Sequence, residues 1–307
     1  MEGNTYDHKY FEDPRDIALE LSLDGFQIFG TGNQSAWPII LINFNLPPDI
    51  CTHLVHILCY GIIPAPRAVK DLDSFLYPLY RELVDLAAGI STVDLSREEL
   101  FLLHVFLILI FGDMPAIAKI MRMKGHNGIC PCWFCKIRGI RPPTGKVYYV
   151  PLWRVDASDH YDAMALPKRT HERFLEQAGE VVLAPTNAEE DHLSTKYGIK
   201  GIPLFSLLGS LSFPSSFPLD FMHLIFENLI PNLIGHYTGN FKDLGSGTKA
   251  YELSGDIWSA ICEVGAASSK TIPSSFGAQV PNLKKEQSSV TADMWSFWAQ
   301  YIGPVLL

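Results

Sequence analysis

Charge is scarce in this sequence: charged side chains make up 19% of its 307 residues and sum to a net −9. The chain as a whole therefore offers no broad attraction to nucleic acid or to an anionic membrane, and any contact with DNA has to be local. Long hydrophobic runs are lacking as well. The most apolar stretch, Leu100 to Phe111, contains His104 and falls short of the ~20 apolar residues a spanning helix needs, so it reads as a buried core element. The polar start, Met1 to Arg15, lacks the basic-then-apolar order of a secretory signal and reads as an unprocessed intracellular N-terminus. There is no internal repeat and no low-complexity tract. Gly30-Thr-Gly32 has no third glycine or following helix, and neither G-x-S-x-G nor H-E-x-x-H occurs, which leaves dinucleotide-binding, serine-hydrolase and zinc-protease readings without support.

What is present is enough apolar material, 48% of the residues, to fill a real core. Six cysteines, three of them crowded into Cys130, Cys132 and Cys135, suit a reduced or metal-binding set better than a disulfide framework, which points to cytosol or nucleus.

Patterning predicts a mixed α/β arrangement. Ile17 to Asp24 alternates in polarity, Gly25 breaks it, and Trp37 to Phe44 is a β-rich run closed by Pro47-Pro48, so two strands joined by a loop fit residues 16–46. His53 to Ile63 suits a third strand. Leu72, Phe75, Leu76, Leu79, Leu83 and Leu86 have helical spacing, with Gly89 as the stop. Ser96 with Glu99 three residues later has the form of a capping box and predicts a helix start before the apolar run turns into a strand ending at Gly112-Asp113. Pro115 suits the first turn of a helix over Ala116 to Lys124. Beyond Cys135 the texture is punctuated by proline and glycine, with an amphipathic stretch at His171 to Ala178 and a helix predicted over Leu219 to Ile230, ended by Pro231. Residues 242–249 and 265–281 read as loops. These patterns divide the chain into a polar segment 1–15, the first part of a sheet-based core over 16–135, and a largely helical insertion region over 136–307.

Four groups of residues can carry chemistry. Asp24 and Asp113 each end an apolar strand, and two such carboxylates on neighbouring strands can hold a divalent ion by hard oxygen ligands; each also reads as an ordinary strand-end or helix-capping aspartate. Cys132-Trp-Phe-Cys135 has the spacing that lets one turn present two thiolates to Zn²⁺, with a second pair supplied by His126 and Cys130 or from far away in the sequence; a buried set of free cysteines is the plainer reading. Between Met114 and Val155 there is no acidic residue, while Lys119, Arg122, Lys124, Lys136, Arg138, Arg141, Lys146 and Arg154 fall there. This basic island begins just after Asp113, where phosphates drawn to it would lie near bound metal, although a solvated basic face has the same composition. Asp220, His223 and Glu227 share helical spacing and suit either metal or proton transfer, or a cap with local polar contacts.

Taken together, Leu23-Asp24-Gly25-Phe26, Ala36-Trp37-Pro38, Asn45-Leu46-Pro47-Pro48, Phe111-Gly112-Asp113-Met114-Pro115-Ala116, Met123-Lys124-Gly125-His126, Cys132-x-x-Cys135 and Asp220-Phe221-Met222-His223 resemble the CACTA (En/Spm) DNA transposases, especially fungal members. The resemblance implies an RNase H-like mixed-sheet core, incomplete here, with a largely helical insertion. It implies an Asp-Asp-Glu site binding two Mg²⁺ or Mn²⁺ ions, nuclear DNA at transposon ends as partner, and self-association. Asp24 matches the first aspartate and Asp113 the second. Cys132 and Cys135 match a C-x-x-C zinc pair that two histidines complete shortly before the catalytic glutamate. Those residues are expected in a segment following Gly303–Leu307, and a further DNA-binding region is expected before Asp24. The chain thus reads as a transposase fragment, inactive alone. The alternative is a non-catalytic DNA- or protein-binding module with a zinc knuckle.

Overall fold

A computed structural model describes residues 9–27, 35–65, 69–141, 148–153, 160–241, 250–268, 271–276 and 279–307. Its main sheet grows from the alternating segments. In β1 (Ile17–Leu23) the leucines at 19, 21 and 23 are buried while the intervening side chains are partly exposed, the period of two that a strand with one face on the core requires. β2 (Phe26–Gln27) is a short strand, and β3 (Ser35–Asn43) runs antiparallel to β1 with Leu23 opposite Ile39. The third strand, β4 (Leu58–Ala65), pairs antiparallel with β3; residues 53–57, expected to belong to it, lie before the strand begins, with 54–56 in a turn.

α1 (Leu72–Ala88) follows, capped by Asp71, which accepts from Ser74 N, and closed at Gly89 with φ 96°. Four of the six residues in the predicted stripe, Leu72, Leu76, Leu79 and Leu83, are buried, while Leu86 is partly buried and Phe75 faces solvent; Pro78 is tolerated inside the helix. The next segment departs from expectation. Residues 90–103 form a separate hairpin, β5 (Ile90–Asp94) paired with β6 (Glu99–Leu103). The Asp94 carboxylate accepts from the backbone N–H groups of Ser96 and Arg97, so the polar cluster closes a turn instead of capping a helix, a competition that Ser and Asp side chains commonly win.

β7 (Val105–Phe111) then pairs parallel to β1, giving the order β4-β3-β1-β7 with β2 beside β3. Three antiparallel strands, a helix, and a fourth strand returning parallel to the first is the arrangement expected of an RNase H-like core. α2 (Met114–Ile120) leaves the end of β7 and is shorter than the expected 116–124. α3 (His171–Val182) and α4 (Asn187–Tyr197) are capped by Thr170 and Thr186. The leucines of β1 and α1, Ile110 of β7, Ile117 of α2, Phe174 and Phe213 belong to one hydrophobic core.

The chain forms two compact units, 1–218 and 219–307. The second is helical. A π-helical segment Met222–Leu229 runs directly into α5 (Ile230–Tyr237), so Pro231 does not end the helix as predicted. It sits in the first turn of the α-helical register, where its missing N–H costs least. α6 (Gly255–Ser268) includes Gly265, which had been expected to begin a loop. Four residues pinned by Asn282 form α7 (Leu283–Glu286), and α8 (Ala292–Phe297) and α9 (Gly303–Leu306) follow. Trp258, Trp295, Trp298 and Ile234 are buried in this unit's own core. The expected loop at 242–249 lies outside the described residues. Among the described residues no helix is long and apolar enough to cross a membrane.

Candidate metal and nucleic-acid site

The ends of β1 and β7 meet because the two strands are parallel neighbours: Ser22 is opposite Phe111, so the next residues of each strand, Leu23-Asp24 and Gly112-Asp113, leave the sheet at the same edge. Gly112 marks how close they run, since a Cβ added there would lie 2.5 Å from the Leu23 carbonyl oxygen. Asp113 has an extended backbone and caps α2, its Oδ1 accepting the Ala116 N–H at 2.6 Å. Its second oxygen is therefore set by the helix start. Asp24 is exposed and followed by Gly25, where an added Cβ would fall 2.7 Å from the Trp37 ring. On the other side of this edge the Lys119 ammonium lies over the same indole, 4.2 Å from the ring centroid. Burial pulls the Lys119 pKa down, and the charge of Asp113 partly restores it.

The family model for "Transposase family tnp2" matches residues 3–183, more than half of the chain. The chain belongs to that transposase family. No curated protein matches it. In this transposase chain the matched region contains the whole sheet, both strand-end aspartates and the cysteine cluster.

The donor set fits divalent metal as far as it goes: two carboxylates, hard oxygen ligands, leave adjacent strand ends at one edge. Among the described residues, however, no group of three or more His, Cys, Asp or Glu side chains converges to hold an ion.

The cysteine cluster separates. Cys135 N–H donates to Cys132 Sγ at 3.4 Å. The Cys135 thiol and these backbone donors favour the Cys132 thiolate, bringing its pKa down to about 6 against the opposing effect of burial. Hydrogen bonding to that sulfur and burial push Cys135 up. Two thiols so placed fit half of a zinc site. Cys130 is occupied elsewhere, its Sγ donating to the Lys196 carbonyl at 3.4 Å, and His126 is exposed on the 3₁₀ turn Gly125–Asn127. The local four-ligand set that the spacing allowed does not assemble. Arg169 is held against the Cys132–Cys135 turn instead, buried, with Nε donating to Cys132 O at 3.1 Å and Nη2 to Tyr197 O at 2.8 Å.

The basic island divides too. Lys119 and Arg122 flank a cleft of about 210 Å³ together with Lys70, Asp73 and Lys200. Lys124 is turned to Thr195, donating to Oγ1 at 2.8 Å. Lys136 and Arg138 are exposed just after Cys135. Sequence reasoning missed Lys70, Lys200 and Arg169, which stand outside the acid-free stretch and reach these positions only through folding. In the second unit, Asp220 is buried and its carboxylate accepts from the N–H groups of Met222 and His223 at 2.9 and 3.2 Å. His223 Nδ1 pairs with the same carboxylate, and its Nε2 lies 3.6 Å from Glu227. These are the capping and local polar contacts that the helical spacing allowed.

Proposed function

We propose that this chain carries the first two metal-binding carboxylates, Asp24 and Asp113, of a CACTA-type DNA transposase core of the fungal branch, acting in the nucleus on transposon ends. The observation that supports this reading is the parallel β1–β7 pairing, which brings both aspartates to one edge of the sheet. Asp24 and Asp113 would hold Mg²⁺ or Mn²⁺, which when bound supplies Lewis acidity for phosphoryl transfer at the attacking and leaving oxygens. The capping bond to Ala116 orients the Asp113 carboxylate. Lys119, within electrostatic reach of Asp113, offers a phosphate a positive charge near that edge, with Arg122 beside it in the same cleft; Lys136 and Arg138 would meet DNA at a separate exposed place, and Lys124 only if it gives up its bond to Thr195. Cys132 and Cys135 would hold structural Zn²⁺ with partners outside the local cluster, and self-association would bring transposon ends together.

The second reading is a non-catalytic DNA- or protein-binding module: among the described residues no three His, Cys, Asp or Glu side chains converge on an ion, so the Cys132–Cys135 turn would take zinc only with further ligands, as the carboxylate pair would take catalytic metal. The two readings divide on one measurement. Mn²⁺ titration followed by electron paramagnetic resonance should detect weak binding in the wild type and none in Asp113→Asn, which keeps the helix cap because Asn caps as well as Asp. Equal Mn²⁺ binding in wild type, Asp24→Asn and Asp113→Asn would remove the metal reading. A pair of carboxylates leaves the charge of a second ion unbalanced, so the isolated chain should not nick DNA. Metal-dependent nicking that vanishes in Asp113→Asn would instead show a complete site.

A further inference from the structure

The cleft beside α2 gathers cations from three separate stretches of chain: Lys70 ahead of α1, Lys119 and Arg122 at the end of α2, and Lys200 after α4. Asp73 is the one carboxylate in its lining and is paired with Arg122 at 3.4 Å. Four cations against one carboxylate leave a surplus of positive charge in an acidic protein, and no ion pair is made by Lys70, Lys119 or Lys200 among the described residues. The volume, about 210 Å³, lies below the roughly 300–1,000 Å³ of small-molecule pockets. It suits a phosphate group with its sugar linkage passing across the mouth.

Arg122 adds an independent observation. Its backbone has φ 52°, in the left-handed region where glycine is the usual residue at a helix end. It is held there by Met123 N donating to Ala118 O at 2.7 Å, by Lys200 N donating to Arg122 O, and by Lys124 N donating to Gly198 O at 2.8 Å. Glycine would satisfy this backbone without strain, and the guanidinium occupies the position all the same. Strain kept at a charged side chain that faces a basic cleft points to a use for the side chain. The cleft is also linked to the aspartate edge, because Lys119 stacks on Trp37, the ring that covers Gly25 beside Asp24.

We infer that the cleft formed by Lys70, Lys119, Arg122 and Lys200 binds the phosphodiester backbone of a DNA strand and leads it toward Asp24 and Asp113. The inference rests on the transposase reading for the direction of the strand but not for the binding itself. Its contacts go to phosphates, so binding is strong at low salt, indifferent to base sequence, and independent of divalent metal.

The experiment measures fluorescence anisotropy of a labelled DNA duplex of arbitrary sequence, and of its single strand, with the full chain in EDTA at several salt concentrations. The double variant Lys70→Gln/Lys200→Gln changes two exposed side chains and should leave the unfolding midpoint unchanged, whereas Lys285→Gln, an exposed lysine of the second unit, is the background control. Each phosphate contact removed lowers the slope of log K against log salt by about 1, so the double variant should lose more than about tenfold in affinity at ~0.1 M salt. Lys285→Gln should bind as the wild type does. Equal binding by wild type and double variant, or no binding of DNA by the wild type, would overturn the inference. So would a poly-glutamate peptide that binds with the same affinity and the same dependence on Lys70 and Lys200, because the cleft would then be reading acidic protein. The Mn²⁺ titration separates this from the metal site: Lys70→Gln/Lys200→Gln retains Mn²⁺ binding while losing DNA, and Asp113→Asn does the reverse.

Discussion

At the scale of single residues, Asp113 does two things with one carboxylate. One oxygen caps α2 through Ala116, and the other is left at the strand edge. Asp113→Ala should therefore destabilise the fold by about 1 kcal/mol, whereas Asp113→Asn should cost almost nothing, and urea unfolding of the two variants checks the difference. Equal losses would mean that the cap contributes nothing and that the residue is held for another reason. Glu20 is a second case. It sits in the middle of β1 beside Ile42 of β3, half-buried, and burial raises its carboxyl above the ordinary 4.5. A raised folded pKa means the native state holds its proton longer than the unfolded chain does. The contribution is therefore full below 4.5 and is lost as pH rises through the raised value. Glu20→Gln, which stays neutral, should raise the thermal midpoint at pH 7 and leave it nearly unchanged at pH 4. A shift of the same size at both values would assign the effect to packing.

Elements impose constraints that no residue shows by itself. The β7–α2 junction works because Gly112 has no side chain: with Leu23 O only 2.5 Å from where a Cβ would stand, β1 and β7 have to separate in Gly112→Ala. That substitution should cost about 2 kcal/mol, the scale of overpacking, and should weaken Mn²⁺ binding by spreading the two aspartates. Retained stability with lost metal binding would show that only the edge, and not the sheet, depends on the close approach. The turn after α2 gives the opposite expectation. Arg122→Gly relieves a left-handed residue and should leave stability unchanged or raise it by up to ~1 kcal/mol while reducing DNA affinity, as measured by urea unfolding alongside anisotropy. Two of the segments where the fold departs from local sequence signals are decided by their elements. Ser96 and Glu99 have the spacing of a capping box, but Asp94 takes the Ser96 and Arg97 N–H groups for a hairpin turn, and the strand pairing of Glu99–Leu103 with Ile90–Asp94 outweighs a local helix signal. Pro231 reads as a stop because the register change from the π-helical segment into α5, which places it in a first turn, has no signature in spacing.

Across the whole molecule, the division at 218/219 gives each unit a core of its own. Residues 1–218 expressed alone should unfold in one cooperative transition and keep slow hydrogen exchange in β1, β3 and β7; a gradual transition without protected strands would show that this unit is not self-sufficient. The alternation of residues 17–24, the β-rich run of 37–44, the leucine spacing from 72 to 86 and the aspartates at two strand ends already determined a mixed sheet with a flanking helix and a pair of acidic termini. Those features are local, and periodicities of two and of 3.6 residues express them directly. Only the tertiary structure decided that β7 lies parallel to β1, which turns two separate aspartates into neighbours. It also decided that Cys130 bonds to Lys196 and does not join Cys132 and Cys135, and that Lys70 and Lys200 come to stand beside Lys119 and Arg122. These pairings join residues far apart in the chain, and side-chain type at one position carries no record of which distant segment the packing of the core will bring alongside it.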